Sequence, residues 1–276
     1  MSRLLITGGS SYLGQHLVPL AVAAGHMVEY TYHQNQPIMP GTGHQLDIRD
    51  ETAVHSLIHA HQPEIILHLA GSNRGSDMAA VIRQGTSHVL WAAHELGIRL
   101  IHLSTDSIFA GDAAPYDETA VPTPVNAYGR AKADAEAIVQ QHPNSVIVRT
   151  SLIYGLAQMD HGTRWMAEAL ANGEPVTLFS NQIRNPVWVN SLCAAILELA
   201  DNSFTGILNV AGQQALSRAD FALKLLDYWQ IQPRHTLTVA PSDRRWPLNC
   251  ELDLRLSTAV LHTPLPGVDS VLSQAK

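Results

Sequence analysis

The chain is poor in the residues that most often announce a function by composition. It has two cysteines in 276 residues, Cys193 and Cys250. Two thiols make neither a disulfide framework nor, by themselves, a zinc site. Cys193 sits in an apolar helical pattern, where it reads as a small core residue. A reducing cytoplasm is the expected compartment. Lysine is nearly as scarce, at positions 132, 224 and 276 only, and lysine plus arginine total 17 for a net charge of −7. That balance argues against a broad nucleic-acid surface. No apolar run reaches the length of a membrane span, and no charged-then-apolar leader precedes the first strand. Repeats, low-complexity tracts and blocks of like charge are missing too.

What is present suits a globular chain with a sizeable core: 46% of residues are hydrophobic, and the length allows one large domain or a domain with a smaller companion. Histidine is abundant, at 15 residues. "HSLIHAHQP" places His55 and His59 one helical turn apart, with His61 close by, a spacing that could hold a metal on a helix face. No general-base glutamate sits between them, and an exposed amphipathic helix accounts for them as well, so no metal is expected.

Short apolar runs alternate with helical patterns. "RLLIT", "MVEYTY", "EIILHLA", "RLIHLST" and "SVIVRT" read as buried strands. "YLGQHLVPLAVAAG", "ETAVHSLIHAH", "AAVIRQGTSHVLWAAHELG" and "NAYGRAKADAEAIVQQH" read as the helices between them. Pro19 predicts a kink in the first helix. Strand, helix, strand in repetition predicts an α/β fold: a doubly wound parallel sheet of Rossmann type, covered on both faces. After about Tyr154 the elements shorten and prolines accumulate. The expected division is a nucleotide-binding domain over residues 1–155 and a smaller, mainly substrate-binding domain over 156–276, with about 183–200 packing back on the first.

The segment "TGGSSYLG" follows the first strand and opens the first helix. Gly8, Ser11 and Gly14 occupy the three positions of a dinucleotide fingerprint, with Tyr12 and Leu13 between the last two. Gly8 allows the tight turn and Gly14 close helix packing. The middle position lets backbone approach a pyrophosphate on the helix N-terminus. Glycine-bearing strand-to-helix turns are common, so this loop does not identify a site alone. The acid that binds a ribose should close the second strand. Tyr32 and His33 stand there instead, which leans toward NADP over NAD.

Tyr128 and Lys132 lie four apart on a helix that Asn126 can cap, so they share a face. A tyrosine with its ordinary pKa near 10 is a poor acid at neutral pH, and a neighbouring ammonium would lower it. Chance yields about 0.08 such pairs in a chain with seven tyrosines and three lysines, so the pair is a signal. The same lysine can reach cofactor ribose hydroxyls. Upstream, Ser104, Thr105 and Asp106 end a strand, where open parallel sheets place their chemistry, and a hydroxyl there can polarise a carbonyl.

This ordered set resembles the extended short-chain dehydrogenase/reductases, most closely the dTDP-4-dehydrorhamnose reductase branch, over nearly the whole chain. "LDIRD" resembles the turn near adenine and implicates Asp47 and Ile48. "LHLAG" resembles the strand end beside the cofactor, at Leu69, Ala70 and Gly71. "STDSIFAG" makes Thr105 the catalytic hydroxyl beside Tyr128 and Lys132, with Ser104 near the cofactor and Asp106 near the substrate. "VRTSLIYG" resembles the segment passing the nicotinamide and implicates Tyr154. "RNPVWVNSLCAAILEL" resembles the segment in which an arginine meets a nucleotide-sugar, here Arg184. "DAEAIV" resembles surfaces that pair in dimers and implies a homodimer. The chain departs from the family pattern at Ser11 for glycine, Ile82 for asparagine, Ser107 for tyrosine, and Ser191 for an aspartate before a helix that serine could equally cap.

The resemblance implies an NAD(P)-dependent reductase of a keto group on a nucleotide-sugar. Two other outcomes stand beside it: a non-catalytic regulatory subunit, as one relative of this branch is for methionine adenosyltransferase, and a nucleotide-sugar epimerase. A dehydratase fits less well, because the expected Asp-Glu pair reads Asp106-Ser107.

Overall fold

The computed structural model describes residues 1–71 and 75–275. The first half runs β1 (Arg3–Thr7), α1 (Tyr12–Ala23), β2 (Met27–Tyr32), β3 (Thr42–Gln45), α2 (Glu51–His61), β4 (Ile65–His68), α3 (Met78–Glu95), β5 (Arg99–Thr105), α4 (Ala127–Val139) and β6 (Ser145–Thr150). Strands β1, β4, β5 and β6 are short and mostly apolar, and they bury both faces. Three of these four helices start where a side chain takes over an orphan amide: Ser11 caps α1, Asp50 caps α2 and Asn126 caps α4. Helix α1 spans Tyr12–Ala23 with Pro19 in its interior.

The second half continues with β7 (Ile153–Tyr154), α5 (His161–Ala171), β8 (Val176–Phe179), β9 (Ile183–Arg184), β10 (Val187–Trp188), α6 (Val189–Asp201), β11 (Gly206–Asn209), β12 (Leu216–Ser217), α7 (Arg218–Tyr228) and β13 (Leu237–Ala240), followed by two short helices. Ser191, read as a cap, lies inside the first turn of α6.

Seven parallel strands form one sheet in the order β11-β6-β5-β4-β1-β2-β3. Alternation along β1 shows how both faces are covered. Leu4 and Ile6 join the cluster built by Leu13 and Leu17 of α1 and Leu192 and Ile196 of α6. Leu5 points the other way, to Val54 and Ile58 of α2 and Val89 and Leu90 of α3. A two-residue period on strands buried on both faces produces this double core. The strand order reverses at β1, which places a crevice at the carboxyl ends of β1 and β4.

The later part of the chain contributes to that sheet. Helix α6 lies against α1, and β11 adds the seventh strand, pairing Ile207 with Ile147 of β6. The rest forms a smaller unit in which Met166 and Leu170 of α5 pack with Val176, Leu178, Ala222 and Leu226. Among the described residues, no helix is long and apolar enough to cross a membrane.

Candidate functional site

The glycine loop sits at the crevice. Gly8 has φ +74°, and a Cβ there would stand 2.9 Å from the Ala70 backbone; a Cβ at Gly14 would meet the Gly8 carbonyl at 2.5 Å. The loop is thus folded tightly onto the helix end, and only glycine fits at either point. Ser11 Oγ accepts from Gly14 N at 3.0 Å and caps α1. One of its two lone pairs is taken by the helix, and its own hydrogen remains to donate. Tyr12 reaches over the loop and donates to the Gln158 carbonyl at 3.0 Å. Beyond it, His161, Arg164, Trp165 and Glu168 of α5 line a cavity of about 450 Å³. Leu13 turns into the core, leaving only its backbone at the loop.

Around the outer end of β2, His33 Nε2 lies 3.7 Å from Asp47. Arg49, which sequence reasoning missed, donates to both Asp47 oxygens and reaches Asp77 at 2.7 Å. Hydrogen bonds from Arg49 hold the Asp47 carboxyl down to about 2. Ile48 is buried against Gly85, and Leu69 is buried beside Ala70 and Gly71, whose φ is +138°. Ile82 builds an apolar wall with Ala131 and Ala135, against which the Tyr128 ring packs.

Thr105 ends β5, and its hydroxyl accepts from Ser107 N and lies against the Tyr128 hydroxyl. Tyr128 and Lys132 share a face of α4, but the ammonium does not reach the phenol. Lys132 Nζ donates to Leu103 O at 2.6 Å and lies 3.2 Å from His102 Nε2. Burial pushes the Tyr128 hydroxyl up to about 12, with the Asp106 charge adding and the bond with Thr105 opposing. The expected lowering by Lys132 is therefore absent, and the phenol is held protonated.

Three residues lie deeper than the sequence suggested. Ser104 points away from the crevice and donates to Glu136 at 2.5 Å, because side chains alternate along β5 and Thr105 takes the other face. Tyr154 is 0% exposed, packed against Phe221, Leu225 and Val268 in the core of the smaller unit, so its side chain does not line the crevice. Arg184 is 3% exposed. It donates to the carbonyls of Ile183 and Leu248 at 2.6 Å and Pro247 at 2.9 Å, and lies 3.5 Å from Asp106. Asp106 also accepts from Ser151 at 2.6 Å. Arg184 therefore serves Asp106 and the surrounding backbone, with little left for a ligand.

A second guanidinium, that of Arg218, stands beside it. The β9–β12 ribbon pairs Leu216 with Arg184, and Arg218 N donates to Gln182 O at 2.8 Å. Gln182, Arg184, Leu216 and Arg218 therefore share one face of the ribbon. Arg218 is exposed as a residue, but its guanidinium donates to Gln182 Oε1 at 3.2 Å from a partly buried position; burial, then the Arg184 charge, lowers its pKa, with Asp106 opposing. Its only sequence signal was a basic residue opening an amphipathic helix.

The histidines separate into two sets, neither matching the His55–His59–His61 grouping. His55 and His59 converge on Glu95, whereas His61 joins His44 on Glu29. Each set offers two imidazoles and one carboxylate, donors suited to a transition metal. Both are made by α2 with its neighbours, away from Thr105 and Tyr128.

Comparisons with known proteins agree with this layout. A dTDP-4-keto-6-deoxy-D-glucose reductase of Streptomyces niveus is 32% identical over 88% of this chain and 83% of its own. A probable low-salt glycan biosynthesis reductase, Agl14, of Haloferax volcanii is 30% identical over 80% of this chain and 78% of its own. The crystal structure of a hypothetical dTDP-4-dehydrorhamnose reductase from Sulfolobus tokodaii superposes with a TM-score of 0.84 at 27% identity, covering 98% of both chains. The family model described as the RmlD substrate binding domain matches residues 2–274. With the parallel sheet, the glycine loop and the Thr105–Tyr128 pair in place, the chain belongs to the RmlD substrate binding domain family.

Proposed function

We propose that this protein is an NAD(P)-dependent reductase of a keto group on a nucleotide-sugar. The observation that carries the reading is the Thr105–Tyr128 hydroxyl pair at the carboxyl end of the central sheet, two strands from a glycine cradle on a helix N-terminus. The cradle fits a dinucleotide pyrophosphate, since a Cβ at Gly8 or Gly14 would fill it. Residues 1–155 hold the cofactor and 156–276 mainly the sugar, with α6 and β11 returning to the first unit. The nicotinamide cofactor, when bound, supplies hydride. Tyr128, held protonated by burial, gives its proton to the oxygen of the carbonyl being reduced, and Thr105 orients that oxygen. A phenol pushed up to about 12 stays an acid throughout the neutral range, which suits reduction rather than oxidation. Lys132 has a third N–H for the ribose hydroxyls. Arg218, with one neutral partner, holds the diphosphate; Arg184 holds Asp106.

The lack of an acid at Tyr32 and His33 favours NADPH, two buried free cysteines fit a reducing cytoplasm, and the outer face of α4 pairs two copies as a homodimer. Parallel titrations of NADPH and NADH, then turnover against a panel of keto-sugar nucleotides, test the reading. Binding of neither dinucleotide would overturn it in favour of a non-catalytic subunit; a clear preference for NADH would overturn the cofactor choice alone.

A further inference from the structure

The interior behind Lys132 holds a polar network that this mechanism leaves unused. His102, on β5, is fully buried, as are His68 on β4 and Lys132. The two imidazoles lie tilted with centroids 5.1 Å apart. His68 is satisfied at both nitrogens, by Thr7 Oγ1 at 2.7 Å and Thr86 Oγ1 at 3.1 Å. His102 is not. Its Nε2 faces Lys132 Nζ at 3.2 Å, and its Nδ1 has no partner. A residue kept for packing alone would be an aliphatic one, with no orphan atom.

We propose that His102 is a positioning residue for Lys132: its imidazole accepts one ammonium N–H at Nε2 while the Leu103 carbonyl accepts another, so that the third is left to the crevice. The proposal rests on the role given above to Lys132. An imidazole does here what a carboxylate could not. It anchors the ammonium without neutralising it, so the full charge acts on whatever occupies the crevice. The nearest carboxylate on the same helix, Glu136, is diverted to Arg149 at 2.9 Å and to Ser104. The charged and titratable groups around His102 are thus His68 from β4, Lys132 and Glu136 from α4, and Arg149 from β6. Burial first, then the charge of Lys132, holds His102 well below the usual histidine range, so it is neutral and free to accept. Burial lowers Lys132 to about 8, with Glu136 opposing. Losing an acceptor for its N–H would therefore lower it further.

With only three lysines in the chain, lysine-selective carbon labelling lets the Lys132 ammonium be titrated by NMR in the intact protein, with or without cofactor. His102→Leu should move that titration down by about one pH unit, the worth of a net hydrogen bond to the charged form, and weaken NADPH binding by about tenfold. His102→Gln, which returns an acceptor, should restore both. A merely structural histidine would change thermal stability in either variant and leave the titration where it was. An unmoved Lys132 titration in folded His102→Leu overturns the proposal. If that variant does not fold, nitrogen NMR of the wild-type histidines decides: a proton on Nδ1 of His102 supports the proposal, and a proton on Nε2 refutes it. Absence of turnover on every keto-sugar would count against the reductase reading and leave the Lys132 titration unaffected.

Discussion

Arg184→Ala and Arg218→Ala should fail in opposite ways, and the structure sets the sizes. Arg184 is 3% exposed and donates to three carbonyls besides facing Asp106. Its removal leaves a buried carboxylate without its cation and several carbonyls without donors. Breaking a buried pair on one side costs about 3–5 kcal/mol. For a chain of this size each kcal/mol moves Tm by about 2–4 °C, so Arg184→Ala should melt roughly 6–20 °C below wild type. Arg218 is exposed with a single neutral partner. Its removal should leave Tm almost unchanged, because exposed polar substitutions stay within about 0.5 kcal/mol. Its charge-assisted bonds to a diphosphate are worth about 1.5–3 kcal/mol, a rise in the substrate KM of about 10- to 150-fold with NADPH binding intact. Differential scanning calorimetry on both variants, with steady-state kinetics on whichever nucleotide-sugar proves to be a substrate, gives both readouts. An Arg184→Ala protein of wild-type Tm that has lost nucleotide-sugar binding, beside an Arg218→Ala protein of wild-type KM, would refute this assignment and return the ligand to Arg184.

Tyr128→Phe should lower turnover by about two to four orders of magnitude while dinucleotide titrations remain as in wild type; retained turnover would place the acid elsewhere. Ser11 caps α1, so Ser11→Ala should cost about 1 kcal/mol in urea unfolding and Ser11→Gly only a few tenths. Ser11→Gly should also tighten cofactor binding, since a Cβ crowds the approach to the loop; weaker binding would mean that the hydroxyl donates to the pyrophosphate. The Asp47 carboxyl is held down to about 2 from an ordinary 3.8 by Arg49. A depressed carboxylate stabilises above its unfolded pKa, and that contribution is lost as pH falls through the folded one. Wild type should therefore lose stability between about pH 4 and pH 2 that Arg49→Gln never had, measured as the difference in their acid unfolding curves. Parallel acid transitions in both proteins would show that the pair contributes nothing.

The amino-acid pattern determined the elements and most of their order. Helix 51–61 and strands 99–105 and 145–150 stand as their apolar periods indicate. Those signals are local, and the shared face of Tyr128 and Lys132 follows from helix geometry alone. Strand β3 escaped notice because "TGHQ" has no apolar run; it exists because the edge of β2 offers it a backbone ladder. Position in the chain could place Tyr154, Ser104 and Arg184 near the chemistry but not say which way each pointed. That depended on what covers each face: the α7 core over Tyr154, Glu136 over Ser104, and the 247–248 segment over Arg184. The same holds for His102 on β5, whose partner lies on α4, and for Arg218, opposite Gln182 just ahead of β9. Periodicity fixes which side chains share a face. Only packing decides whether that face meets solvent, a ligand or the core, because the covering element comes from a remote part of the chain.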